Sequence, residues 1–257
     1  MLYAEERQRE ILERVRQEGK VSVEELTEAL GVSAPTIRAD LGTLENRRLL
    51  RRTHGGAILP ETTLYEPPYA ERERARRAEK ARIGVAAAAR VCDHETVILD
   101  AGTTTFEIAS RLKERVGLTV VTNSLEAAWE LMDAPPGHIE IIVIGGLVHA
   151  HRRATLGPLA SEFLSRLHVD LVFLGVNGVH PSAGYTVVDF DAAQVKRSMI
   201  ACAREVVVVA DSSKMGVTAF ASICPLSSAH VLITDSPPDE PLGEIISAAG
   251  VEIDVAS

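Results

Sequence analysis

Apolar residues in the first fifty positions recur at helical spacing. In residues 5–18, Ile11, Leu12 and Val15 form one apolar stripe among charged side chains, and Gly19 follows as a stop signal. This pattern predicts an amphipathic helix over residues 5–18.

A second helix is predicted immediately downstream. Ser22 is followed three residues later by Glu25, which is the spacing of a capping box. Leu26 and Leu30 then supply an inner face, and Gly31 marks the C-terminal end of the helix.

The third predicted helix follows a short turn in which Ser33 can act as the N-cap. Ile37, Leu41 and Leu44 lie on its apolar face. Two short helices joined by so tight a turn predict a helix-turn-helix. The opposite face carries small or hydrogen-bonding side chains and an arginine, as reading of DNA bases requires. These residues are Thr36, Arg38, Ala39 and Thr43.

Residues 51–59, RRTHGGAIL, predict a two-stranded wing. Arg51, Arg52 and His54 precede a pair of glycines, so these basic groups would lie beside a tight turn and along the DNA backbone. The alternative is a small helical bundle with a solvated basic face, and composition alone does not separate the two.

The segment 60–83 is predicted as a linker followed by a connecting helix. Pro60 and the Pro67–Pro68 pair stiffen an extended chain. From about Tyr69, Glu and Arg recur at spacings that allow i,i+3 and i,i+4 pairs on one helix, which continues into the apolar run IGVAAAARV. We expect a solvated helix face here rather than a DNA contact.

From about residue 84, apolar runs of strand length alternate with helical patterns. Strands that are apolar almost throughout and separated by helices imply a parallel sheet covered on both faces. The fold class is therefore α/β, with a winged helix-turn-helix over 1–59, the connector 60–83 and a large domain over 84–257. The six predicted strands lie in TVILDAG, LTVVTNS, IEIIVIGG, DLVFLGVNG, EVVVVADSSK and HVLITDS.

The composition is that of a globular protein with no membrane segment or secretion signal. Of the 257 residues, 46% are hydrophobic and 25% charged, and no apolar run reaches the roughly 18 residues of a membrane span. The first residues lack the apolar core of a signal peptide. Cys92, Cys202 and Cys224 show neither disulfide-framework nor metal-ligand spacing, which fits a reducing cytoplasm.

The net charge of -9 is unevenly distributed. Residues 1–59 are neutral overall, 60–83 carry +1 and 84–257 carry -10. The acidic excess therefore belongs to the large domain, and the neutral head can still place its basic side chains on one DNA-facing surface.

Polar residues of the large domain collect where the predicted strands end, which is where ligands bind in parallel sheets. In DAGTTT, residues 100–105, Gly102 allows close backbone approach, and Thr103–Thr105 open a helix whose amides suit an anion such as phosphate. The strand-end segments expected to converge on one edge are 100–105, 122–124, 145–146, 175–178 and 211–214.

The other groups at this edge narrow the ligand class. Asn123, Lys196 and Lys214 add an amide and two cations, which fit a phosphorylated polyol. No G-x-G-x-x-G follows the first strand and no G-x-x-x-x-G-K-[ST] occurs, so dinucleotides and ATP are disfavoured. We expect a sugar phosphate and no cofactor.

Residues 33–58, SAPTIRADLGTLENRRLLRRTHGGAI, combine a Ser, a Thr-Ile-Arg, an Asp-Leu, a Leu-Glu and a terminal His-Gly-Gly-Ala. In these pieces and their spacing the head resembles the DeoR family of bacterial transcriptional regulators, which implies DNA binding. One position departs from the family pattern: Ala39 stands where a second basic residue is usual, which bears on operator preference and phosphate affinity.

The large domain resembles the effector-sensing half of the same family, which is related in fold to ribose-5-phosphate isomerase. The shared pieces are DAGTTT, TN at 122–123, GG at 145–146, Gly157, Asp189, Lys196 with Arg197, and DSSK at 211–214. A second departure is Ala192, where the family often has Glu. The resemblance implies phosphate contacts from Thr103–Thr105 and Lys214, with Asp100, Asn123, Gly145, Gly146 and Asp211 around the sugar.

Two other function classes stay open from the residues alone. A sugar-phosphate isomerase with an appended head needs a general base and a group that polarises a carbonyl, although a helix-turn-helix has no use in isomerisation. A large domain that only oligomerises is the other alternative. His149, His151 and His180 are predicted in exposed loops rather than as metal ligands. The candidate bases are Asp100, Asp189, Asp191 and Asp211, with Lys214 as the polarising group.

We therefore expect a ligand-controlled repressor of carbohydrate metabolism genes, with no catalytic or metal site. It would bind a double-stranded DNA operator, and because half-sites are repeated it would be at least a dimer, or a tetramer. The predicted DNA contacts are Ser33, Thr36, Arg38, Thr43, Arg51, Arg52 and His54. The predicted ligand contacts are Asp100, Gly102, Thr103, Thr104, Thr105, Thr122, Asn123, Gly145, Gly146, Gly175, Asp189, Lys196, Asp211 and Lys214.

Overall fold

The computed structural model describes residues 3–46, 49–58 and 66–257, without the side chains of residues 16 and 17. Internal contacts divide the chain into two compact units, Met1–Tyr65 and Glu66–Ser257. The first unit contains the predicted head. The second contains the predicted large domain together with residues 66–83 of the predicted connector.

The first unit consists of three helices and a small antiparallel sheet. Its elements are α1 (Ala4–Glu18), β1 (Lys20–Ser22), α2 (Val23–Leu30), α3 (Ala34–Asn46), β2 (Arg51–Thr53) and β3 (Gly56–Ile58). The predicted helices and the β2–β3 wing are confirmed. Strand β1, which pairs with β3 to give the order β1-β3-β2, was not predicted because three residues are too few to show a period of two.

Local signals explain where the helices of the head begin and end. The capping box of α2 forms as predicted: Glu25 N–H donates to Ser22 Oγ at 3.1 Å, and Ser22 N–H donates to the Glu25 carboxylate at 2.8 Å. Gly31 ends α2 in the left-handed conformation at φ 64°. A side chain at Gly56 would collide with the Val21 carbonyl oxygen, so close pairing of β3 with β1 requires glycine there.

One buried carboxylate connects the first and third helices. Asp40 is 4% exposed, and its oxygens accept from Arg7 Nε at 2.5 Å and from Gln8 Nε2 at 3.0 Å. A buried charge is tolerated only when it is paired in this way. Asp40 therefore sets the position of α3 relative to α1, beneath the exposed face of α3.

The second unit is built on alternating strands and helices. In chain order its elements are α4 (Tyr69–Arg74), α5 (Arg77–Ala89), β4 (Thr96–Leu99), α6 (Thr103–Ala109), β5 (Leu118–Thr122), α7 (Leu125–Leu131), β6 (Ile139–Val143), β7 (Leu147–His149), β8 (Ala154–Leu156), α8 (Pro158–Leu164), β9 (Val169–Gly175), β10 (Gly178–His180), β11 (Gly184–Val187), α9 (Phe190–Cys202), β12 (Ala203–Val209), β13 (Ala221–Cys224), β14 (Val231–Thr234), α10 (Glu240–Ala248) and β15 (Glu252–Val255). Short 3-10 turns cover Ser212–Lys214 and Leu226–Ser228.

Seven parallel strands form the central sheet, in the order β15-β14-β12-β9-β4-β5-β6. Alternate strand residues enter two different cores: Val97 and Leu99 of β4 lie in one and Ile98 in the other. Helices α5, α6 and α7 cover one face and α8, α9 and α10 the other. The predicted α/β class and parallel sheet are confirmed, and β15 adds an edge strand that was not predicted.

Two small antiparallel sheets replace segments that were predicted as loops. Strands β7 and β8 form a hairpin, and β10, β11 and β13 form a three-stranded sheet. The placement of two histidines in loops was therefore wrong: His149 ends β7 and His180 ends β10, while His151 lies in the β7–β8 turn. These strands are too short to show the alternation that predicts a strand from sequence.

The continuous helix predicted from Tyr69 onward was also wrong. The structure has α4 and α5 with a break at Ala75, which is extended, and Arg76, which is left-handed at φ 50° and ψ 43°. The expected solvated face is interrupted too, because Lys80 is only 5% exposed. Its ammonium donates to the carbonyl oxygens of Arg72 and Ala75, at 2.7 Å for Ala75, so contacts with the rest of the unit override local helix propensity.

Candidate functional sites

The carboxyl ends of the parallel strands share one edge of the sheet, so the predicted ligand residues that follow them lie at that edge. Asp100 follows β4, Asn123 follows β5, Gly175 ends β9 and Asp211 comes two residues after β12. Asp235, which follows β14, joins them and was not predicted.

The centre of this edge is a buried ion pair. The Asp100 carboxylate accepts from the Lys196 ammonium and, at 3.1 Å, from Gly175 N–H. Lys196 Nζ also donates to the Gly175 carbonyl oxygen at 2.9 Å. Asp100 is 2% and Lys196 5% exposed. The groups of Asp100, Gly175 and Lys196 hydrogen-bond to one another. They therefore hold the ends of β4 and β9 against α9.

Asn123 and Thr122 connect the neighbouring loops. Asn123 Oδ1 accepts from Ala101 N–H at 2.8 Å, and Asn123 Nδ2 donates to the Thr155 carbonyl oxygen at 3.3 Å. Thr122 Oγ1 donates to the Leu99 carbonyl oxygen at 2.6 Å and accepts from Ser124 N–H at 3.0 Å. Both side chains are buried, and both hold the segment 100–102 against the end of β5.

The first turn of α6 presents backbone donors at the same edge. Gly102 is the N-cap in an extended conformation, and the first intrahelical bond runs from Phe106 N–H to the Gly102 carbonyl oxygen at 3.0 Å. The amides of Thr103–Thr105 precede that bond, and such amides have no partner within a helix. The Thr105 hydroxyl donates to the Gly102 carbonyl oxygen at 3.0 Å. Thr103 and Thr105 are buried and Thr104 is half-buried.

The turn after β12 supplies a carboxylate and a cation. Asp211 is buried and accepts from Ser213 N–H at 3.1 Å and from the Ser213 hydroxyl. Burial alone would raise the pKa of Asp211, but the charge of Lys214, the Ser213 hydrogen bonds and the charge of Lys80 together lower it. Within the described ranges, no hydrogen bond or ion pair is made by the half-buried Lys214 ammonium, so it is the cation best placed to receive an anion.

One basic residue of the connector, Arg76, contacts the same turn, and a second, Lys80, acts on Asp211 through its charge; sequence reasoning missed both. Arg76 Nη1 donates to Ser212 Oγ at 3.0 Å, while Arg76 Nε lies 3.7 Å from Asp211. Burial lowers the pKa of Lys80 to about 8, opposed by the negative charge of Asp211. In the sequence, Arg76 and Lys80 lie in a run where Glu alternates with Arg, so no local feature distinguishes them from the other charged residues of that run.

The remaining predicted ligand residues are Asp189, Gly145 and Gly146, and the structure gives Asp189 and Gly146 a local structural role. Asp189 caps α9 by accepting from Ala192 N–H at 2.8 Å, and its second oxygen lies 3.6 Å from Arg152 Nη2. Arg152 also lies 3.1 Å from Glu66. Gly145 and Gly146 are exposed. Gly146 has φ 136°, and a side chain there would collide with the Leu156 carbonyl oxygen, so both its backbone conformation and its surroundings require glycine.

The residues predicted to contact DNA lie on the outer surface of the head. Arg38 is exposed on α3 and Ser33 is exposed just before it, whereas Ile37 is buried, and the Ser33 and Thr36 hydroxyls are 2.9 Å apart. Half-buried Thr43 donates to the Ala39 carbonyl oxygen at 3.1 Å. The three predicted wing residues, Arg51, Arg52 and His54, are exposed on β2 and the turn after it.

Cysteines, histidines and carboxylates show no further site. Cys92 is exposed, Cys202 buried and Cys224 half-buried, and all three are free thiols. Across residues 3–46, 49–58 and 66–257, no three His, Cys, Asp or Glu side chains are grouped to hold a metal ion. No helix in those ranges is both long and apolar enough to cross a membrane.

Two family models match this chain, one for each unit. The model described as a DeoR-like helix-turn-helix domain matches residues 7–63, and the model described as a DeoR C terminal sensor domain matches residues 75–236. Together they account for most of the sequence, in the order that the motifs predicted.

Relatives with assigned names are similar over nearly their whole length. The HTH-type transcriptional regulator GlpR of Haloferax volcanii is 36% identical over 96% of both chains. The HTH-type transcriptional repressor GlcR of Bacillus subtilis is 37% identical over 98% of this chain and 96% of the relative. The glycerol-3-phosphate regulon repressor of Escherichia coli K12 is 31% identical over 95% and 96%.

Solved structures are more distant. Ribose 5-phosphate isomerase A from Methanocaldococcus jannaschii aligns with 55% of each chain at 20% identity and a TM-score of 0.40. A tetrameric eIF2B complex from Chaetomium thermophilum aligns with 67% of this chain and 61% of the other at 15% identity and a TM-score of 0.47.

Proposed function

The chain belongs to the DeoR family of transcriptional regulators, and we propose that it is a repressor whose affinity for operator DNA is controlled by a phosphorylated sugar. The head reads the operator and the second unit binds the effector. The regulated genes would serve carbohydrate metabolism; the Escherichia coli relative is named as the repressor of the glycerol-3-phosphate regulon.

DNA recognition is assigned to α3 and the wing. Arg38 projects from the exposed side of a helix whose other side is held by Asp40 and the apolar core, so its reach is fixed by the fold. An arginine in this position of a recognition helix contacts base edges or phosphates. Arg51, Arg52 and His54 are assigned to the DNA backbone. Because operator DNA lies in the cytoplasm, we also propose a cytoplasmic location.

The effector site is assigned to the edge where Lys214 lies. The observation that carries this assignment is that the half-buried Lys214 ammonium makes no hydrogen bond or ion pair with any described residue, although its charge acts on Asp211, in a unit of strongly negative net charge. The amides of Thr103–Thr105 are the natural second set of phosphate donors, since a bound anion would supply the partners that the helix cannot. Asp211, kept ionised, would accept hydrogen bonds from sugar hydroxyls.

Several residues first expected to touch the ligand are better assigned to holding its site in shape. Asp100, Lys196 and Gly175 satisfy one another, and Thr122 and Asn123 are fully engaged with the backbone. We propose that these five support the ligand from beneath, and that Gly102, Thr103–Thr105, Asp211 and Lys214 face it. Asp189, Gly145 and Gly146 would then border the sugar from the side of α9 and β7.

An isomerase would need a carboxylate with room to remove a proton from carbon. Asp100 is tied to Lys196, Asp189 caps a helix and Asp211 accepts two hydrogen bonds from Ser213, so each is occupied by a structural partner. Asp191 is exposed on α9. We propose on these grounds that the site does not catalyse isomerisation and that binding alone is the function. Recognition of paired half-sites would require two copies of the chain, so we also propose a homodimer or a tetramer.

Thermal shift of the full chain tests the effector site. The panel is glycerol 3-phosphate, glucose 6-phosphate and fructose 1-phosphate, each beside its unphosphorylated counterpart. A ligand at 100 times its Kd adds about 2.7 kcal/mol, and a chain of this size gains about 2–4 °C per kcal/mol. We therefore expect a rise in Tm of about 5–10 °C for at least one phosphate.

Two variants locate the effect. Lys214→Met should abolish the shift, and Arg38→Ala should retain it while losing affinity for duplexes selected from a random library by the wild-type protein. Equal shifts with the unphosphorylated compounds, or an undiminished shift in Lys214→Met, would contradict the proposed site.

A further inference from the structure

The break between α4 and α5 is not explained by the residues around it. No glycine or proline occurs between Tyr69 and Ile83, and the charge spacing favours one unbroken helix. Arg76 nevertheless adopts the left-handed conformation, at φ 50° and ψ 43°. That conformation costs a residue other than glycine roughly 1–2 kcal/mol. Contacts from elsewhere in the unit must therefore maintain the break.

One set of contacts comes from Lys80. In a continuous helix the Arg72 carbonyl oxygen would accept from Arg76 N–H, and the Ala75 carbonyl oxygen would accept from Glu79 N–H. In the structure both carbonyl oxygens accept from the Lys80 ammonium instead. The Lys80 ammonium thus replaces the backbone donors that the break removes, so these two carbonyl oxygens at the end of α4 are hydrogen-bonded although the helix is interrupted.

The other set comes from Arg76 itself. Its guanidinium donates to Ser212 Oγ at 3.0 Å and lies 3.7 Å from Asp211 and 4.0 Å from Asp235. Asp235 in turn accepts from Ser212 N–H at 2.6 Å. The ion contacts of Arg76 are long, and its side chain is 43% exposed, so a stronger partner can compete for it. All of these groups belong to or contact the turn that carries Lys214.

Helix α5 is also packed tightly on the helix that begins with Thr103. A side chain at Gly84 would come within 2.6 Å of the Glu107 Cβ atom, so α5 and α6 are in direct backbone contact. The connector therefore meets the proposed site from two sides, through Arg76 at the turn after β12 and through Gly84 at α6. In the chain it is also the first part of the second unit after the head.

We propose that Arg76 couples effector binding to the head: a phosphate beside Lys214 takes the guanidinium from Asp211 and Asp235, and this releases the break between α4 and α5. The proposal rests on the proposed effector site. A bidentate contact between Arg and phosphate is stronger than the long contacts it would replace. Once Arg76 leaves them, the Lys80 contacts alone do not offset the cost of the left-handed backbone, and residues 69–89 adopt the continuous helix that their sequence favours. The conformation of the segment that follows the head in the chain then changes.

Hydrogen exchange of the full chain tests the backbone part of this proposal. Lys80 N–H already donates to the Arg76 carbonyl oxygen at 3.1 Å, so the amides that gain new partners only if α4 and α5 join are those of residues 76–79. With saturating inorganic phosphate, and in parallel with glucose 6-phosphate, we expect exchange across residues 76–79 in the wild type to slow at least tenfold. No slowing in a wild type that calorimetry shows to be saturated would overturn the release of the break.

Two substitutions of Arg76 separate the effect of its guanidinium from the effect of its left-handed backbone conformation. Arg76→Gln removes the guanidinium and keeps the cost of the left-handed conformation, so exchange across 76–79 should be slow with and without phosphate. Arg76→Gly removes the guanidinium but also that cost, so exchange there should stay fast in both conditions. Equal exchange in the two variants would overturn the argument from backbone strain.

Operator binding tests the coupling. With a sugar phosphate that binds the wild type, operator Kd should change at least fivefold in the wild type and in Arg82→Gln, an exposed arginine on the same helix. In Arg76→Gln it should change less than twofold. An undiminished response in Arg76→Gln overturns the role of Arg76 alone. Absence of phosphate binding to the wild type overturns the proposed effector site and the role of Arg76 with it.

Discussion

Replacing Lys196 with Met should destabilise the second unit by about 3–5 kcal/mol, because it leaves a buried carboxylate without its counter-charge. Asp100 is 2% exposed, and after the substitution its carboxylate keeps only the Gly175 N–H, at 3.1 Å, of the partners described above. The substitution preserves most of the side-chain volume, so the loss reports the charge rather than a cavity.

Hydrogen exchange of the peptide 169–175 under increasing urea measures this loss in the second unit alone. The strand it covers, β9, is central in the sheet and opens only when the unit unfolds. The double variant Asp100→Asn with Lys196→Met removes both charges, and we expect it to be about 2 kcal/mol more stable than Lys196→Met. Arg166→Met is the matched exposed control: its ion pair with Glu162 is 74% and 62% exposed, and its loss should cost at most about 0.5 kcal/mol.

The reasoning would be refuted by a Lys196→Met variant within about 1 kcal/mol of the wild type, or by a double variant no more stable than the single one. Either result would mean that Asp100 and Lys196 are not committed to each other. They would then be available to contact the ligand directly, as the sequence first indicated.

Three further predictions follow from single contacts. Asp40→Ala should destabilise the head by about 1–3 kcal/mol through loss of its buried bonds with Arg7, measured by exchange of peptides from α3. Burial lowers the pKa of Lys80 to about 8, so below that pH the buried charge reduces the stability of the wild type, and this cost disappears as the pH rises from 8 to 10.5. Lys80→Met has no such charge, so its stability relative to the wild type should fall over this pH range, as urea titrations would measure. Burial raises the pKa of the Cys224 thiol to about 11, so iodoacetamide at pH 8 should label Cys92 and spare Cys224, as peptide mapping would report.

The head was largely predictable because its signals are local. The capping box of Ser22 and Glu25, the stop at Gly31 and the period of Ile37, Leu41 and Leu44 each depend on residues a few positions apart. Strand β1 was missed because its partner, β3, is more than thirty residues away and supplies the hydrogen bonds that define it.

In the large domain, strand periodicity was enough to place polar residues at one edge but not to show which of them are free. Asp100 and Lys196 are 96 residues apart, and only the parallel order of the strands brings them together. A carboxylate and an ammonium in a predicted cleft therefore suggested ligand contacts, whereas the structure shows them paired. Lys214 has the same chemistry in the sequence, but its ammonium forms no ion pair within the part of the chain that the structure describes.

The connector was predicted least well, for the opposite reason. Its local signals for a helix are strong and correct for α4 and α5 separately, but the break between them depends on Ser212, Asp211 and Asp235. Helix propensity is a weak preference of a few tenths of a kcal/mol per residue, which a few contacts across the fold can override. Arg76, to which we assign the regulatory role, lies where the local preference for a continuous helix and the tertiary contacts disagree.

Operator binding by the full-length wild type and by Lys214→Met, with and without a sugar phosphate at fixed ionic strength, tests the central claim most directly. Fluorescence anisotropy would give the Kd for a labelled operator in each case, at constant salt because phosphate contacts make DNA affinity salt-dependent. The account predicts that the effector changes the wild-type Kd by about 5- to 150-fold and the Lys214→Met Kd by less than twofold. An equal response in both proteins would contradict it.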